Sequence, residues 1–173
     1  RTAGLKPASL SFEEAAAVPL AGLTAFQSVR HAAVGAGETV LIHGGAGGVG
    51  AFGIQLAALA GARVVATASE GNHDFLRSLG AEPTTYGEGL AERARDLAPE
   101  GYDVVLDFEG GASLDSTAAV LKPGGRVVSI ADARAATEFG GRNLWVRPST
   151  ADLTELAGLF DAGKLRVEIA QVF

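Results

Sequence analysis

Cysteine is absent from the 173 residues, and so is methionine. Without cysteine there is no disulfide framework, no thiolate metal site and no cysteine nucleophile. Its absence fits a reducing compartment. The N-terminus has no basic region followed by a continuous apolar run, so no signal peptide is visible and a cytoplasmic location is expected. With no methionine, either an initiator has been removed or the chain is a segment of something longer, and the segment is favoured. Positive charge is in the minority, with 14 Lys and Arg against 20 Asp and Glu and a net charge of −6. That balance excludes the bulk basic character of a nucleic-acid binder. No long uninterrupted apolar run is present either. Residues 39–62 pass 24 positions without Asp, Glu, Lys or Arg, but seven glycines, His43 and Gln55 break the run, so no membrane span is expected.

What the chain has is small residues and a repeating rhythm. Hydrophobic residues make up 47% and charged residues 20%, enough to bury a core and too apolar for disorder. Glycine is 24 of 173, about twice the usual share. Such density lets elements pack closely and lets bare backbone approach a ligand. Ser11 with Glu14 makes a capping box for a helix over residues 12–18, which Pro19 is expected to end. A second helical run covers 21–33.

From Thr39 strands and helices alternate. Thr39–His43 is a short apolar strand bounded by glycine, followed by a loop at 44–48 and a helix carrying Val49, Phe52, Leu56 and Leu59 at helical spacing. Further strands are expected at 62–68, 83–86, Tyr102–Asp107, 125–130 and 143–147, with helices at 72–79, Leu90–Leu97 and 112–120. Ser149 caps a last helix, stopped by Gly163. Crossovers of this length imply right-handed β-α-β units, an α/β fold with a doubly wound parallel sheet (Rossmann), about six strands, and helices on both faces. Residues 1–36 read as a helical lead-in packed on a domain spanning 37–173.

Gly45-Ala46-Gly47-Gly48-Val49-Gly50 reads G-x-G-x-x-G between the first strand and the first crossover helix. In that setting it is a dinucleotide-binding signature. Gly45 permits the tight turn, Gly47 and Gly48 let backbone N–H groups close on a pyrophosphate, and Gly50 lets the helix lie close on the strand. No lysine follows the glycines, so this is not a P-loop. An acid at the end of the second strand would select NAD through the ribose hydroxyls. Here Ala66-Thr67-Ala68-Ser69 has none before Glu70, which favours NADP(H), with Ser69 and Thr67 near the 2′-phosphate. The basic partner is open among Arg63, His73 and Arg77, and the alternative is that Ser69 only caps the next helix. His31, His43 and His73 lack metal-ligand spacing, so no metal site is expected, and His43 reads as a packed strand-end residue. Asp103 and Asp107 read as structural acceptors on one strand. Neither Tyr86 nor Tyr102 is followed four residues on by lysine, which excludes a short-chain dehydrogenase.

Glu14-Ala-Ala-Ala-Val-Pro-Leu-Ala-Gly-Leu-Thr-Ala-Phe26 and Gly37-Glu-Thr-Val-Leu-Ile-His-Gly-Gly-Ala-Gly-Gly-Val-Gly50 resemble the zinc-independent medium-chain dehydrogenase/reductases, the quinone oxidoreductase branch above all. The likeness continues through Phe75-Leu-Arg-Ser-Leu-Gly-Ala81, Tyr102-Asp-Val-Val-Leu-Asp107 and Leu121-Lys-Pro-Gly-Gly-Arg-Val-Val-Ser129. The resemblance implies an NADPH-dependent reduction of a quinone or an α,β-unsaturated carbonyl without metal, by a homodimer paired through the last strand near Trp145. It implies that a catalytic barrel-like domain, built mainly from an earlier segment, lies outside this chain. Leu20 stands where zinc-dependent relatives carry a ligand cysteine. Carried over by position, Gly47, Gly48 and Val49 meet the pyrophosphate and Ser69 faces the 2′-phosphate. Thr24, Ser129, Ala131, Leu144 and Val146 then approach the nicotinamide. Two departures stand out: Gly71 and His73 where relatives carry a base, and Phe108-Glu109 in place of smaller, uncharged residues. A non-catalytic nucleotide-binding module, a sensor or accessory subunit, is the alternative, and an upstream barrel domain would discriminate the two.

Overall fold

The computed structural model describes residues 3–170. Two helices lead in, α1 (Phe12–Ala16) and α2 (Val18–His31). The Ser11 capping box forms, with Ser11 Oγ accepting from Glu14 N–H at 3.2 Å and Glu14 Oε2 accepting from Ser11 N–H at 2.8 Å. Pro19 does not end α1. The break falls at Ala17, and Pro19 occupies the first turn of α2, where its missing N–H has no helical partner to lose.

The sheet follows: β1 (Thr39–His43), α3 (Gly48–Leu59), β2 (Arg63–Thr67), α4 (His73–Ser78), β3 (Ala81–Thr84), α5 (Leu90–Leu97) and β4 (Tyr102–Asp107). Then come α6 (Ala112–Asp115), α7 (Thr117–Val120), β5 (Leu121–Ser129), α8 (Arg134–Thr137), β6 (Arg142–Asn143) and α9 (Thr150–Asp161). The described strands form one sheet of six in the order β3-β2-β1-β4-β5-β6, and every pairing is parallel. Chain order reverses between β1 and β4, so the loop after β1 opens at a topological switch point.

Alternation along the strands divides the core. Val40, Ile42, Val64, Ala66, Val104, Leu106 and Val128 pack under α2, α3 and α9, through Phe26, Phe52, Leu156 and Phe160. Leu41, Val65, Val105 and Val127 face α5, α6 and α7, through Ala94, Leu114 and Val120. Both faces are covered, which is why the strands read as continuous apolar runs.

Several boundaries differ from expectation. β3 begins at Ala81, two residues early, because Ala81 pairs with Val64. β5 starts at Leu121, opposite Tyr102. An irregularity follows before Arg126 pairs with Val104, and it admits Pro123 and the left-handed Gly124 (φ +76°). The helix expected over 112–120 is two short helices that meet at Ser116. The sixth strand is only Arg142–Asn143.

Candidate cofactor site

The loop from Gly44 to Gly47 joins β1 to α3 at the carboxyl edge of the sheet. The left-handed residue of its turn is Gly44 (φ +75°), not Gly45 as the motif suggests. Gly45 answers a different constraint, since a Cβ there would meet the Ala66 Cβ at 2.8 Å. Gly50 is packed against the loop itself: its Cβ would fall 2.7 Å from Gly45 Cα and into the Gly44 carbonyl oxygen. Gly45 and Gly50 are buried, whereas Gly47 and Gly48 are exposed and have room for a side chain. The outer glycines of the motif shape the loop, and the inner ones present bare backbone to solvent.

Gly47 is the N-cap of α3, with extended backbone (φ −74°, ψ 166°) and no side-chain cap. The first helical bond of this end is donated by Ala51 N–H to Gly47 O at 2.8 Å. The N–H groups of Gly48, Val49 and Gly50 are therefore the orphan donors of a 12-residue helix. With the helix dipole behind them they fit an anion of pyrophosphate type. Ala21 of α2 covers this end, its Cβ 3.7 Å from where a Cβ on Gly48 would lie.

Ser69, Ser129, Ala131, Leu144 and Val146 also stand at the carboxyl edge, on either side of this loop. Ser69 is exposed just past β2, and its Oγ accepts from Asn72 Nδ2 at 3.0 Å. It makes no side-chain cap bond to the 3-10 turn Glu70–Asn72. Ser129 ends β5, Ala131 is exposed two residues on, and Leu144 and Val146 follow β6, buried and half-buried. Thr24 is buried on α2 and its hydroxyl donates back to Leu20 O at 2.7 Å.

Two expected phosphate contacts are corrected. Thr67 is fully buried, and its Oγ1 accepts from Gly44 N–H at 3.0 Å, so it holds the glycine loop instead of facing a 2′-phosphate. Arg63 begins β2, a strand length of roughly 13 Å from the crevice, and is forked onto Glu82 at 2.8 Å. Of the remaining basic side chains beside Ser69, Arg77 pairs with Asp74 at 2.7 Å. Glu70 next to it is exposed.

Asp107, at the end of β4, is a structural acceptor as its strand-end place suggested. Its Oδ1 takes the N–H groups of Glu109 and Gly110 at 3.2 and 2.8 Å, and its Oδ2 takes the Ser129 hydroxyl at 2.5 Å. Asp103 does the same at the amino edge, accepting from Thr39 N–H and Lys122 Nζ at 2.8 and 2.9 Å. His43 packs at the end of β1, with no exposed surface and no partner for either ring nitrogen among the described residues. Burial pulls the imidazole down to about 4, against the opposing pull of the Asp107 charge. The imidazole is therefore neutral at pH 7. The Arg134 side chain and its N–H hold the Asp132 carboxyl down to about 2.

Asp107, Ser129, Thr67 and His43 share a row at the strand ends, which no one of them shows singly in the sequence. Parallel strands of equal register carry that signal: each of the four is the polar residue ending an apolar run.

Among the described residues no group of three or more His, Asp or Glu could hold a metal ion. No described helix is long and apolar enough to cross a membrane.

Residues 48–151 match the family model described as zinc-binding dehydrogenase. The chain is 40% identical over 177 aligned positions to spectinabilin polyketide synthase system protein NorB of Streptomyces orinoci, covering 92% of this chain and 8% of that one. It is 38% identical over 165 positions to the chloroplastic NADPH-dependent alkenal/one oxidoreductase of Arabidopsis thaliana, covering 94% and 40%. The quinone oxidoreductase of Coxiella burnetii superposes with a TM-score of 0.82 at 38% identity, over 97% of this chain and 55% of that structure. The chain thus spans less than two thirds of the length of each of these three proteins.

Proposed function

The chain belongs to the zinc-binding dehydrogenase family, the nucleotide-binding half of the medium-chain dehydrogenase/reductase fold, and from that footing we propose that it is the cofactor domain of an NADPH-dependent oxidoreductase acting on a quinone or an α,β-unsaturated carbonyl. One observation carries the reading: the uncapped N-terminus of α3, with Gly47 and Gly48 bare and exposed, opens at the switch point of the sheet. When bound, the nicotinamide supplies a hydride. The N–H groups of Gly48, Val49 and Gly50 hold the pyrophosphate. Ser69, in place of an acid, leaves room for a 2′-phosphate. The loop at 130–132 and residues 144–146 border the nicotinamide end, with Leu144 as an apolar wall that excludes water.

The substrate class is supported by the names of two relatives, the alkenal/one oxidoreductase and the quinone oxidoreductase. Reduction without zinc is supported by Leu20, at the position where zinc-dependent relatives carry a cysteine. A homodimer paired along the outer edge of β6, beside Trp145 at 82% exposure, belongs to the same reading. A second reading, a reductase unit within a much longer synthase, is favoured by the 40% identity to the polyketide synthase protein. It uses the same crevice and the same cofactor.

Calorimetric titration with NADPH and NADH tests the cofactor assignment. Tighter binding of NADPH is expected, and binding of neither would overturn the reading. Gly71→Arg sharpens the test. Gly71 is exposed, a Cβ there meets nothing within 4 Å, and its φ is not left-handed. A cation beside Ser69 should raise NADPH affinity about tenfold and leave NADH unchanged. Equal gains for the two cofactors would place the 2′-phosphate elsewhere.

A further inference from the structure

A polar row crosses the sheet beneath the crevice. Thr84 pairs with Thr67, His43 with Asp107, Asp107 with Ser129, and Ser129 with Asn143. One rung earlier the four central strands carry Ala66, Ile42, Leu106 and Val128. Thr67, His43, Asp107 and Ser129 have no exposed surface. Buried polar groups cost stability unless they are hydrogen-bonded, and apolar residues at such positions are often neutral or better.

The bonds of the row show what it holds. Thr67 fixes the N–H groups of Gly44 and Gly45, through Oγ1 at 3.0 Å and its carbonyl at 2.8 Å. Asp107 fixes 109 and 110. Ser129 Oγ accepts from the N–H groups of Ala131 and Asp132 at 3.1 and 2.9 Å. Each of these bonds ends on a loop at the carboxyl edge of the sheet. The Ser129–Asp107 bond joins the loop after β5 to the loop after β4 from inside. A second set joins them from outside. Arg134 reaches Asp115 at 2.5 Å, Asp132 at 2.7 Å and Gly111 O at 3.0 Å, and Asp132 Oδ2 accepts from Gly111 N–H at 3.3 Å. The two loops are one clamp.

We propose that Asp107 and Ser129 are positioning residues, which preset the backbone at 130–132 for the nicotinamide end of the cofactor without touching it. The inference rests on the cofactor reading above. The hydroxyl of Ser129 has one proton and two lone pairs. The proton goes to Asp107 and the lone pairs to Ala131 and Asp132, so nothing is left for a ligand. Its reach into the crevice is through the loop it holds.

The test uses two probes on the full chain: NADPH, and 2′-phospho-ADP-ribose, which lacks the nicotinamide. In Ser129→Ala the affinity for NADPH should fall about tenfold, the scale of one lost buried hydrogen bond, and that for 2′-phospho-ADP-ribose should stay within about twofold. Arg134→Gln acts on the outer stitch from a partly exposed position. It should give the same split at about threefold, which keeps the test decisive if Ser129→Ala does not fold. Equal losses for both probes, or no loss for either, would overturn the proposal. A wild-type chain that binds neither probe would overturn the cofactor reading and this inference with it.

Discussion

Gly50→Ala is expected to destabilise the chain by about 3 kcal/mol or more and to abolish cofactor binding. The added methyl would lie 2.7 Å from Gly45 Cα and 2.8 Å from its carbonyl carbon, and inside the Gly44 oxygen. Those are backbone atoms, so no rotamer change relieves the clash. The loop has little freedom to move, because Gly44 and Gly45 are both bonded to Thr67. The start of α3 must therefore lift away from the sheet, exposing Phe52 and Ile54 behind it. Gly47→Ala is the control. A Cβ at Gly47 meets only the Gly44 oxygen at 3.4 Å, and the extended φ and ψ suit alanine. Its stability should fall by no more than about 1 kcal/mol, the scale of an N-cap change. Its methyl instead occupies the exposed face offered to the pyrophosphate, so binding should weaken in a well-folded protein. Urea unfolding with the two variants in parallel checks both statements. Equal midpoints would show that the outer glycine does not shape the loop.

The sheet was legible because its strands are buried on both faces. Thr39–His43 and Tyr102–Asp107 are apolar runs with glycine at their borders, and the structure sets them at those bounds. Edges were less legible. β6 has one neighbour and two paired residues, so its limits depend on Val128 and Ser129 across the ladder, not on its own pattern. Pro19 misled because proline ends a helix from within but suits the first turn of the next one, and the residue that decides between them, Ala17, has no distinctive chemistry. At the site, the glycine motif located the loop, but the work of its members was redistributed. The positive φ sits on Gly44, outside the motif, because backbone geometry follows from where Thr67 anchors the turn. Thr67 itself reads in sequence as a residue near the phosphate. Only its hydrogen bond from Gly44 N–H shows the hydroxyl directed at the neighbouring loop.

His43 should make the protein acid-labile in a window well above the carboxylates. Its imidazole lies at about 4 in the folded state against an ordinary value of 6.5, because burial disfavours the cation more than Asp107 favours it. The unfolded chain therefore binds more protons than the folded one between those values, and stability falls as pH falls through the window. Taken to completion the difference is about 3 kcal/mol, a large part of the stability of an ordinary domain. The depressed carboxyls also favour the folded state only while ionised. Glu82 bonded to Arg63 and Asp132 bonded to Arg134 both titrate below the ordinary carboxylate range, so their losses begin at lower pH. His43→Leu separates the two. Leucine fills a similar volume, removes two unpartnered ring nitrogens and continues the apolar run of β1. Urea unfolding at about pH 7 and about pH 5 should show the wild-type chain losing about 2 kcal/mol between them and the variant nearly level. The variant should also gain about 1 kcal/mol at neutral pH, where the cost of the unsatisfied ring is removed. An unchanged slope in His43→Leu would mean that the acid sensitivity belongs to the carboxylates. A loss of stability at pH 7 would mean that the imidazole gives Asp107 more support than its unpartnered nitrogens cost.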